Sequence, residues 1–229
     1  MAFSRLQTPR LVAICALSAV AMATFSIASC SKDGAQSSYE IPSDIPQGSA
    51  DAKVVMVEYA SVTCPHCADF GKDIMPSIKT KYIDTGKIRY VFREFPTPPI
   101  EIASAGHLLA RCVAPNKREA VLNTLMTQQR EIVTQAQGPN GAKQALLNIA
   151  ASVGMSESDF DKCMQDEAKL QTLVDVRNYA IDKDNISGTP TIFINGKNVP
   201  QPVGRSHYIV EDVSKLIDEA LAKTGGSAK

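Results

Sequence analysis

The sequence predicts an α/β fold in which an all-helical insertion interrupts a domain of strands and helices. Short runs of β-branched apolar residues occur at 53–60, 86–96 and 189–196, and such runs are typical of buried strands. Between residues 97 and 182 the apolar residues recur at helical spacing, without a convincing strand. A chain of 229 residues, 44% of them hydrophobic, is long enough for one domain that carries such an insertion.

The charge balance points to no class of partner. Lys and Arg total 24, and Asp and Glu also total 24, so the formal net charge is zero. Because neither sign is in excess, the charge gives no reason to expect binding to nucleic acid. The function must therefore be inferred from motifs.

Residues 1–30 predict an export signal. Arg5 and Arg10 precede an uncharged stretch over 11–29, and a basic start before an apolar stretch is typical of a secretory signal. The stretch is also long enough for a membrane anchor. It ends in IASC, which resembles the lipobox of bacterial lipoproteins and makes Cys30 a candidate for lipidation. A soluble secreted protein is the alternative. The expected location is the periplasm, with a possible tether through Cys30 or the uncleaved segment.

The remaining chain divides into a tether and three folded segments. Residues 31–50 are rich in Gly, Ser and Pro and predict a flexible tether. They leave no room for a dimerisation domain, so a monomer is expected. The first part of the strand-containing domain is predicted over 51–96, the helical insertion over 97–182, and the second part over 183–225.

Two cysteines, Cys64 and Cys67, follow the first predicted strand and begin a helix. Pro65 suits the first turn of that helix, and Pro76 is expected to kink or divide it. The free N–H groups and the dipole at a helix N-terminus favour an anion, so a low pKa is expected for Cys64. A protonated His66 favours the same thiolate. Because a stabilised thiolate stabilises the reduced form, the disulfide form is expected to be a strong oxidant. Cys67 is expected to be the buried, resolving thiol.

Other interpretations of this cysteine pair are less favoured. Structural zinc needs four ligands, usually in two close pairs, and the sequence has no second C-x-x-C, while His107 and His207 have no partner at metal spacing. No metal and no other cofactor is therefore expected. A purely structural disulfide between Cys64 and Cys67 would close a very short loop and add little stability. Two inert thiols are not expected in an exported protein.

The stretch VEYASVTCPHCADF resembles the active-site segment of DsbA-like thiol:disulfide oxidoreductases, and the resemblance covers roughly residues 38–225. It implies a thioredoxin-like fold with an inserted helical domain. It also implies oxidation of exported proteins that carry free thiols, with no cofactor. The Pro65–His66 dipeptide between the cysteines is typical of the oxidising members of this family. A membrane quinone-linked reoxidase is the partner that the resemblance implies.

Glu58 lies six residues before Cys64. The resemblance to DsbA-like proteins extends to this position. In that family an acid at the same offset lies beneath the redox pair and assists proton transfer to or from the buried cysteine. The residues themselves indicate that Glu58 interrupts an otherwise apolar strand, where a buried carboxylate needs a partner or a role. An exposed strand position is the alternative.

The stretch GTPTIFING carries the third part of the resemblance. It implies that Pro190 follows a cis bond and faces the cysteine pair, and that the backbone of Thr189 pairs with an extended substrate segment. Many oxidases of the family have Val where this chain has Thr189, whereas isomerase relatives often have Thr. A disulfide isomerase or reductase is therefore the first alternative function. A metal chaperone that uses Cys64 and Cys67 as soft ligands is the second.

Cys112 and Cys163 fall on apolar faces of two different predicted helices. In an exported protein, two remaining thiols at such positions are expected to form a structural disulfide, and some DsbA-like proteins carry an extra bridge. Two separate buried thiols are the alternative. His107 and Arg111, one turn apart, are expected on a solvated helix face.

Overall fold

The computed structural model describes residues 38–139, 141–201, 203–205 and 207–225. The predicted export signal, including Cys30, lies outside the described residues, as does the first part of the predicted tether. No helix among the residues that the structure describes is both long and apolar enough to cross a bilayer.

Five strands among the described residues form a mixed sheet at the centre of the fold. In chain order its strands are β1 (Pro46–Gly48), β2 (Val54–Ala60), β3 (Ile88–Glu94), β4 (Thr191–Ile194) and β5 (Lys197–Val199). The spatial order is β1-β3-β2-β4-β5. Strands β2 and β3 are parallel, and the other neighbouring pairs are antiparallel. All seven residues of the central strand β2 are buried, as expected for a strand covered on both faces.

The helices flank this sheet. They are α1 (Pro65–Asp73), α2 (Met75–Ile78), which continues into a π-helical turn (Lys79–Ile83), α3 (Ile100–Cys112), α4 (Pro115–Thr127), α5 (Gln129–Gln135), α6 (Lys143–Ser152), α7 (Glu157–Met164), α8 (Glu167–Asp182) and α9 (Val210–Lys223). Helices α3 to α8 follow one another between β3 and β4, and the described residues of this segment contain no strand. The predicted α/β fold with an all-helical insertion is therefore confirmed.

Pro76 divides the helix that follows the cysteine pair, as predicted. Helix α1 ends at Asp73 and α2 begins at Met75. Pro76 then occupies the first turn of α2, where its missing N–H is not needed.

The insertion shares one hydrophobic core with the sheet. Met56 of β2 and Phe70 of α1 belong to the same buried cluster as Leu109 of α3 and Leu125 of α4. A smaller cluster around Tyr59 covers the opposite face of the sheet. A continuous core of this kind holds the helical insertion rigidly against the elements that carry the cysteine pair.

The prediction of a flexible tether is wrong for residues 38–50. Strand β1 pairs with β3, and the carboxylates of Glu40 and Asp44 are buried against β3. Glu40 binds Arg89, and Asp44 accepts a hydrogen bond of 3.0 Å from Nε of Arg93. The segment has the polar composition of a linker, and composition alone does not show that its two acids are spaced to meet two arginines of β3.

His107 and Arg111 do not lie on a solvated helix face, so this prediction is also wrong. His107 is fully buried, and burial lowers its pKa to about 4. Nη2 of Arg111 donates a hydrogen bond of 2.6 Å to Glu94, the last residue of β3, and Nη2 of Arg118 donates one of 2.7 Å to the same carboxylate. Two arginines on α3 and α4 thus compensate one buried acid at the end of the sheet.

A disulfide between Cys112 and Cys163 joins α3 to α7. Leu108 and Leu173 pack around it in a small buried cluster. The bridge therefore ties the start of the insertion to a helix near its end.

Candidate active site

Cys64 occupies the N-cap of α1, directly before Pro65 at the first helical position. Its carbonyl accepts the N–H groups of Cys67 and Ala68 at 3.1 and 3.2 Å, which begin the helix. Both cysteines are free thiols, but only Cys64 reaches the surface, with 8% of its area exposed against 0% for Cys67. The helix start thus presents one sulfur and hides the other.

Hydrogen bonds lower the pKa of Cys64 to about 5. The largest contribution is the Cys67 thiol, which donates to the Cys64 sulfur; burial opposes it. The Thr189 hydroxyl and the backbone N–H groups of Cys67 and His66 lower the pKa further. Cys64 is therefore a thiolate at neutral pH, as the sequence predicts for a cysteine at a helix N-terminus. The His66 side chain is exposed, and the effect of its charge stays a prediction.

The second sulfur has the opposite character. Burial raises the pKa of Cys67 well above its ordinary value, and the nearby Cys64 and Glu58 raise it further. The backbone N–H of Ser61, which donates to the Cys67 sulfur at 3.5 Å, opposes these effects. In the reduced pair, an accessible anion therefore stands beside a buried neutral thiol.

The peptide bond between Thr189 and Pro190 is cis. It precedes β4, whose residue Thr191 pairs with Tyr59 at the end of β2. This register brings the backbone carbonyl of Thr189 to 3.4 Å from the sulfur of Cys64. The buried Thr189 hydroxyl has no hydrogen-bond partner while the Cys64 thiol donates to the Thr189 carbonyl, and it becomes a donor to the Cys64 sulfur when that sulfur is an anion.

An open groove of about 250 Å³ lies beside Pro190. Its apolar lining includes Phe70 of α1 and Ile74, which lies between α1 and α2, together with Tyr208 and Ile209. His66 also lines the groove. Such a surface is suited to a client segment that carries apolar side chains.

Glu58 lies in the middle of β2 and is only 2% exposed. The hydroxyl of Tyr90, on β3, donates a hydrogen bond of 2.5 Å to Oε2 of Glu58. Burial raises the pKa of Glu58 to about 7, against the effect of the Tyr90 hydrogen bond, and the charge of Cys64 adds to the rise. Glu58 can therefore hold or release a proton near neutral pH.

Sequence reasoning missed two residues that contact this site. Tyr90 could have been found from the sequence. Side chains alternate along a strand, so once β3 is paired with β2, Tyr90 falls on the same face of the sheet as Glu58. Gln129, on α5 of the insertion, donates from Nε2 to the carbonyl of Cys64 at 3.3 Å. Nothing in the sequence indicates this contact, since it depends on how the insertion packs.

No group of three or more His, Cys, Asp or Glu residues in the described part of the chain is arranged to hold a metal ion. The chemistry that this arrangement supports is exchange between thiols and disulfides, which moves electrons between sulfur atoms of the protein and its client.

Comparisons with known proteins agree with this geometry. A family model described as thioredoxin matches residues 40–219. A Bacillus anthracis protein named disulfide bond formation protein D is 30% identical, over 92% of this chain and 93% of its own length. A Rickettsia bellii protein named as a protein-disulfide oxidoreductase is 32% identical over 79% of this chain. The chain spans 66% of that Rickettsia bellii protein and 63% of its Rickettsia felis counterpart.

Among solved structures, alpha-DsbA1 of Wolbachia pipientis superposes with a TM-score of 0.68 at 27% identity, over 80% of this chain and 94% of that one. The matched family model covers most of the chain, and the fold and the cysteine pair agree with it. The chain belongs to the thioredoxin family and, within it, to the DsbA-like thiol:disulfide oxidoreductases.

Proposed function

We propose that the chain is an exported thiol:disulfide oxidase that transfers its Cys64–Cys67 disulfide to folding proteins. The observation that carries the proposal is the low pKa of Cys64, about 5. A thiolate that is stable at neutral pH favours the reduced form of the pair, so electrons flow from client thiols into the protein.

The reaction has two exchange steps. A client thiolate attacks the sulfur of Cys64, the Cys64–Cys67 bond breaks, and its electron pair passes to the sulfur of Cys67. A second client thiolate then attacks the client sulfur of the mixed disulfide, and Cys64 leaves as a stable thiolate. The client loses two electrons and gains a disulfide, while the cysteine pair becomes reduced.

Glu58 serves as the proton donor in the first of these steps. The new anion on Cys67 is buried and therefore unfavourable, because burial raises the pKa of this thiol. A carboxyl group with a pKa of about 7 is matched to give up its proton at neutral pH. The backbone of Thr189 and the groove beside Pro190 hold the client segment during the exchange.

The clients of this oxidase are exported proteins with free thiols, and the site of action is the periplasm. The N-terminal segment supports export through its basic start and its apolar stretch, and Cys30 is the candidate point of attachment to a membrane. By family resemblance, a membrane quinone-linked oxidase returns the cysteine pair to the disulfide form.

The reduction potential of the pair tests the proposal directly. Equilibration with glutathione is expected to give a reduction potential far more oxidising than that of thioredoxin, which is about −270 mV. A peptide with two cysteines is expected to be oxidised by the wild-type protein and not by Cys64→Ser. A potential close to that of thioredoxin would count against an oxidase.

Thr189 favours one alternative, a disulfide isomerase or reductase, because isomerase relatives often carry Thr before the cis proline. An isomerase would refold a protein with scrambled disulfides faster than it oxidises a reduced one. Comparing these two rates for the same client distinguishes the functions. Metal analysis of the purified protein, together with the activity of Cys64→Ser, tests the other alternative, a metal chaperone.

A further inference from the structure

The groove beside Pro190 has an apolar floor. Phe70 and Tyr208 line it and are each only 3% exposed. Their rings meet edge to face, with the centroids 6.0 Å apart. The Tyr208 hydroxyl donates a hydrogen bond of 2.9 Å to the carbonyl of Val199, so this polar group already has a partner. The floor therefore presents ring and hydrocarbon surface to whatever enters the groove.

Three carboxylates line the same groove. Asp69 and Asp73 stand one turn apart on α1, and Glu211 lies in the first turn of α9. All three residues are exposed to solvent. None of them forms an ion pair with another described residue. The edge of the groove thus carries acids that are available to a ligand.

No lysine or arginine among the described residues lines the groove to offset these acids. Lys72 falls between Asp69 and Asp73 in the sequence of α1, but it is not part of the lining. Arg205, close in sequence to Tyr208, is bound to Asp212 at 3.0 Å. An apolar floor is therefore bordered by negative charge alone, apart from two histidines.

We propose that this groove selects client segments that carry an arginine or a lysine close to the reacting cysteine. Both side chains lay a methylene stem along apolar surface while the charged head stays near solvent, and a guanidinium also stacks on aromatic rings. The floor suits the stem and the carboxylates suit the head. A glutamate at the same place would meet like charges. The inference rests on the proposed function, because it names the class of client that the groove holds.

The position of the groove makes this selection act on the reacting segment itself. Pro190 lines the groove, and the carbonyl of the preceding residue, Thr189, lies 3.4 Å from the sulfur of Cys64. A client segment that is bonded to this sulfur and lies along Thr189 therefore has the groove directly beside it. Because exposed ion pairs contribute modestly, exchanging arginine for glutamate in the client is expected to change the reaction rate about tenfold at low ionic strength.

The test uses the variant Cys67→Ser, in which serine can still donate a hydrogen bond to the Cys64 sulfur. The Cys64 thiolate attacks a peptide sulfur that carries nitrothiobenzoate, the bond between these two groups breaks, and nitrothiobenzoate leaves as a coloured thiolate. Colour release thus measures how fast a peptide reacts with Cys64. The measurement does not depend on whether the wild-type protein is an oxidase, which its reduction potential tests separately.

Three peptides are compared that differ only at one residue, two positions from the cysteine. This residue is arginine, citrulline, which keeps the shape without the charge, or glutamate. Each rate is divided by that of the same peptide with N-acetylcysteine, and pH 8 limits the contribution of charged histidines, since His66 and His207 also line the groove. Arginine is expected to react about tenfold faster than glutamate, with citrulline between them. The difference should shrink in about 1 M salt. Equal rates for arginine and citrulline would overturn the proposal.

The thiolate of Cys64 itself attracts an arginine, so the acids of the groove are tested separately. Adding Asp73→Asn and Glu211→Gln is expected to lower the ratio of the arginine rate to the glutamate rate about threefold or more. The matched control, Asp175→Asn with Glu219→Gln, removes the same charge from exposed positions of α8 and α9 that do not line the groove, and it should keep the ratio. An unchanged ratio in the groove variant, or an equal loss in both variants, would show that the groove does not select the client.

Discussion

The sulfur of Cys64 lies 3.4 Å from the backbone carbonyl of Thr189, the residue before the cis bond to Pro190. The two residues are 125 positions apart in the chain, and the pairing of β4 with β2 brings them together. The reactive sulfur and the backbone that is proposed to hold a client therefore share one surface. The contact also places the Thr189 hydroxyl where it lowers the pKa of Cys64.

Reduced protein is expected to gain stability with pH relative to the oxidised form. The pKa of Cys64 falls from an ordinary value of 9.0 to about 5 on folding. The stabilisation is complete above the unfolded value and is lost as the pH falls through about 5. The free energy of unfolding of the reduced protein, minus that of the oxidised protein, should thus rise between pH 5 and 9, by at most about 1.4 kcal/mol per pH unit. Urea unfolding of both forms measures it. Cys64→Ser, compared with the reduced protein, should lack this dependence.

Replacing Thr189 by valine is expected to raise the pKa of Cys64. The substitution keeps the branched shape and removes a buried hydroxyl that lowers this pKa. Loss of one hydrogen bond to an anion corresponds to a rise of about one unit. The ultraviolet absorbance of the thiolate, followed against pH, reports the change. Thr191→Val, whose hydroxyl instead donates to the carbonyl of Gly188, should leave the titration where it is; a similar shift in both variants would refute the role of Thr189.

Glu58→Gln is expected to stabilise the reduced protein at pH 8 and to slow peptide oxidation. Folding raises the pKa of Glu58 from 4.5 to about 7, so ionisation destabilises the folded state as the pH rises through this window. The corresponding cost above pH 7 is about 3 kcal/mol, which the neutral amide avoids. Urea unfolding near pH 4.5 should show little difference between the variant and the wild type. Equal stability at pH 8 would mean that Glu58 ionises freely.

Removing the disulfide between Cys112 and Cys163 is expected to lower stability without abolishing peptide oxidation. The bridge spans 51 residues of sequence, and closing a loop of this length contributes roughly 3–4 kcal/mol in the chain-entropy model. The double variant Cys112→Ala/Cys163→Ala, compared with the wild type by urea unfolding, measures this amount. Loss of activity in the folded double variant would show that the bridge also shapes the active site.

Glu94→Gln is expected to destabilise the protein by about 3–5 kcal/mol, because it leaves two buried arginines without a counter-charge. Burial alone would raise the pKa of Glu94, but Arg118 and Arg111 hold it below its ordinary value. Thermal or urea unfolding tests the change. Glu101→Gln, at an exposed position in the first turn of α3, is the control and should cost little. A small effect in Glu94→Gln would mean that water compensates the arginines.

Much of the fold could be predicted from local patterns. Runs of β-branched residues identified β2, β3 and β4, and helical spacing identified the insertion, because burial on one face or both leaves a periodic trace. Pro76 marked the division between α1 and α2 for a stereochemical reason that holds in any context. The segment over 38–50 and the face that carries His107 were predicted wrongly. Glu40, Asp44 and Arg111 are buried because partners distant in sequence compensate their charges, whereas the ring nitrogens of His107 are buried without a hydrogen-bond partner.

The sequence by itself determined which atoms could do chemistry: a C-x-x-C pair at a helix start, where the free N–H groups favour a thiolate whatever the rest of the fold. Only the tertiary structure decided how the two sulfurs differ and what surrounds them. It buries Cys67, brings Thr189 to Cys64, and supplies Glu58 with the Tyr90 hydroxyl. Burial and hydrogen bonding between distant residues set the pKa values of these groups, because desolvation depends on all the elements that pack around a site.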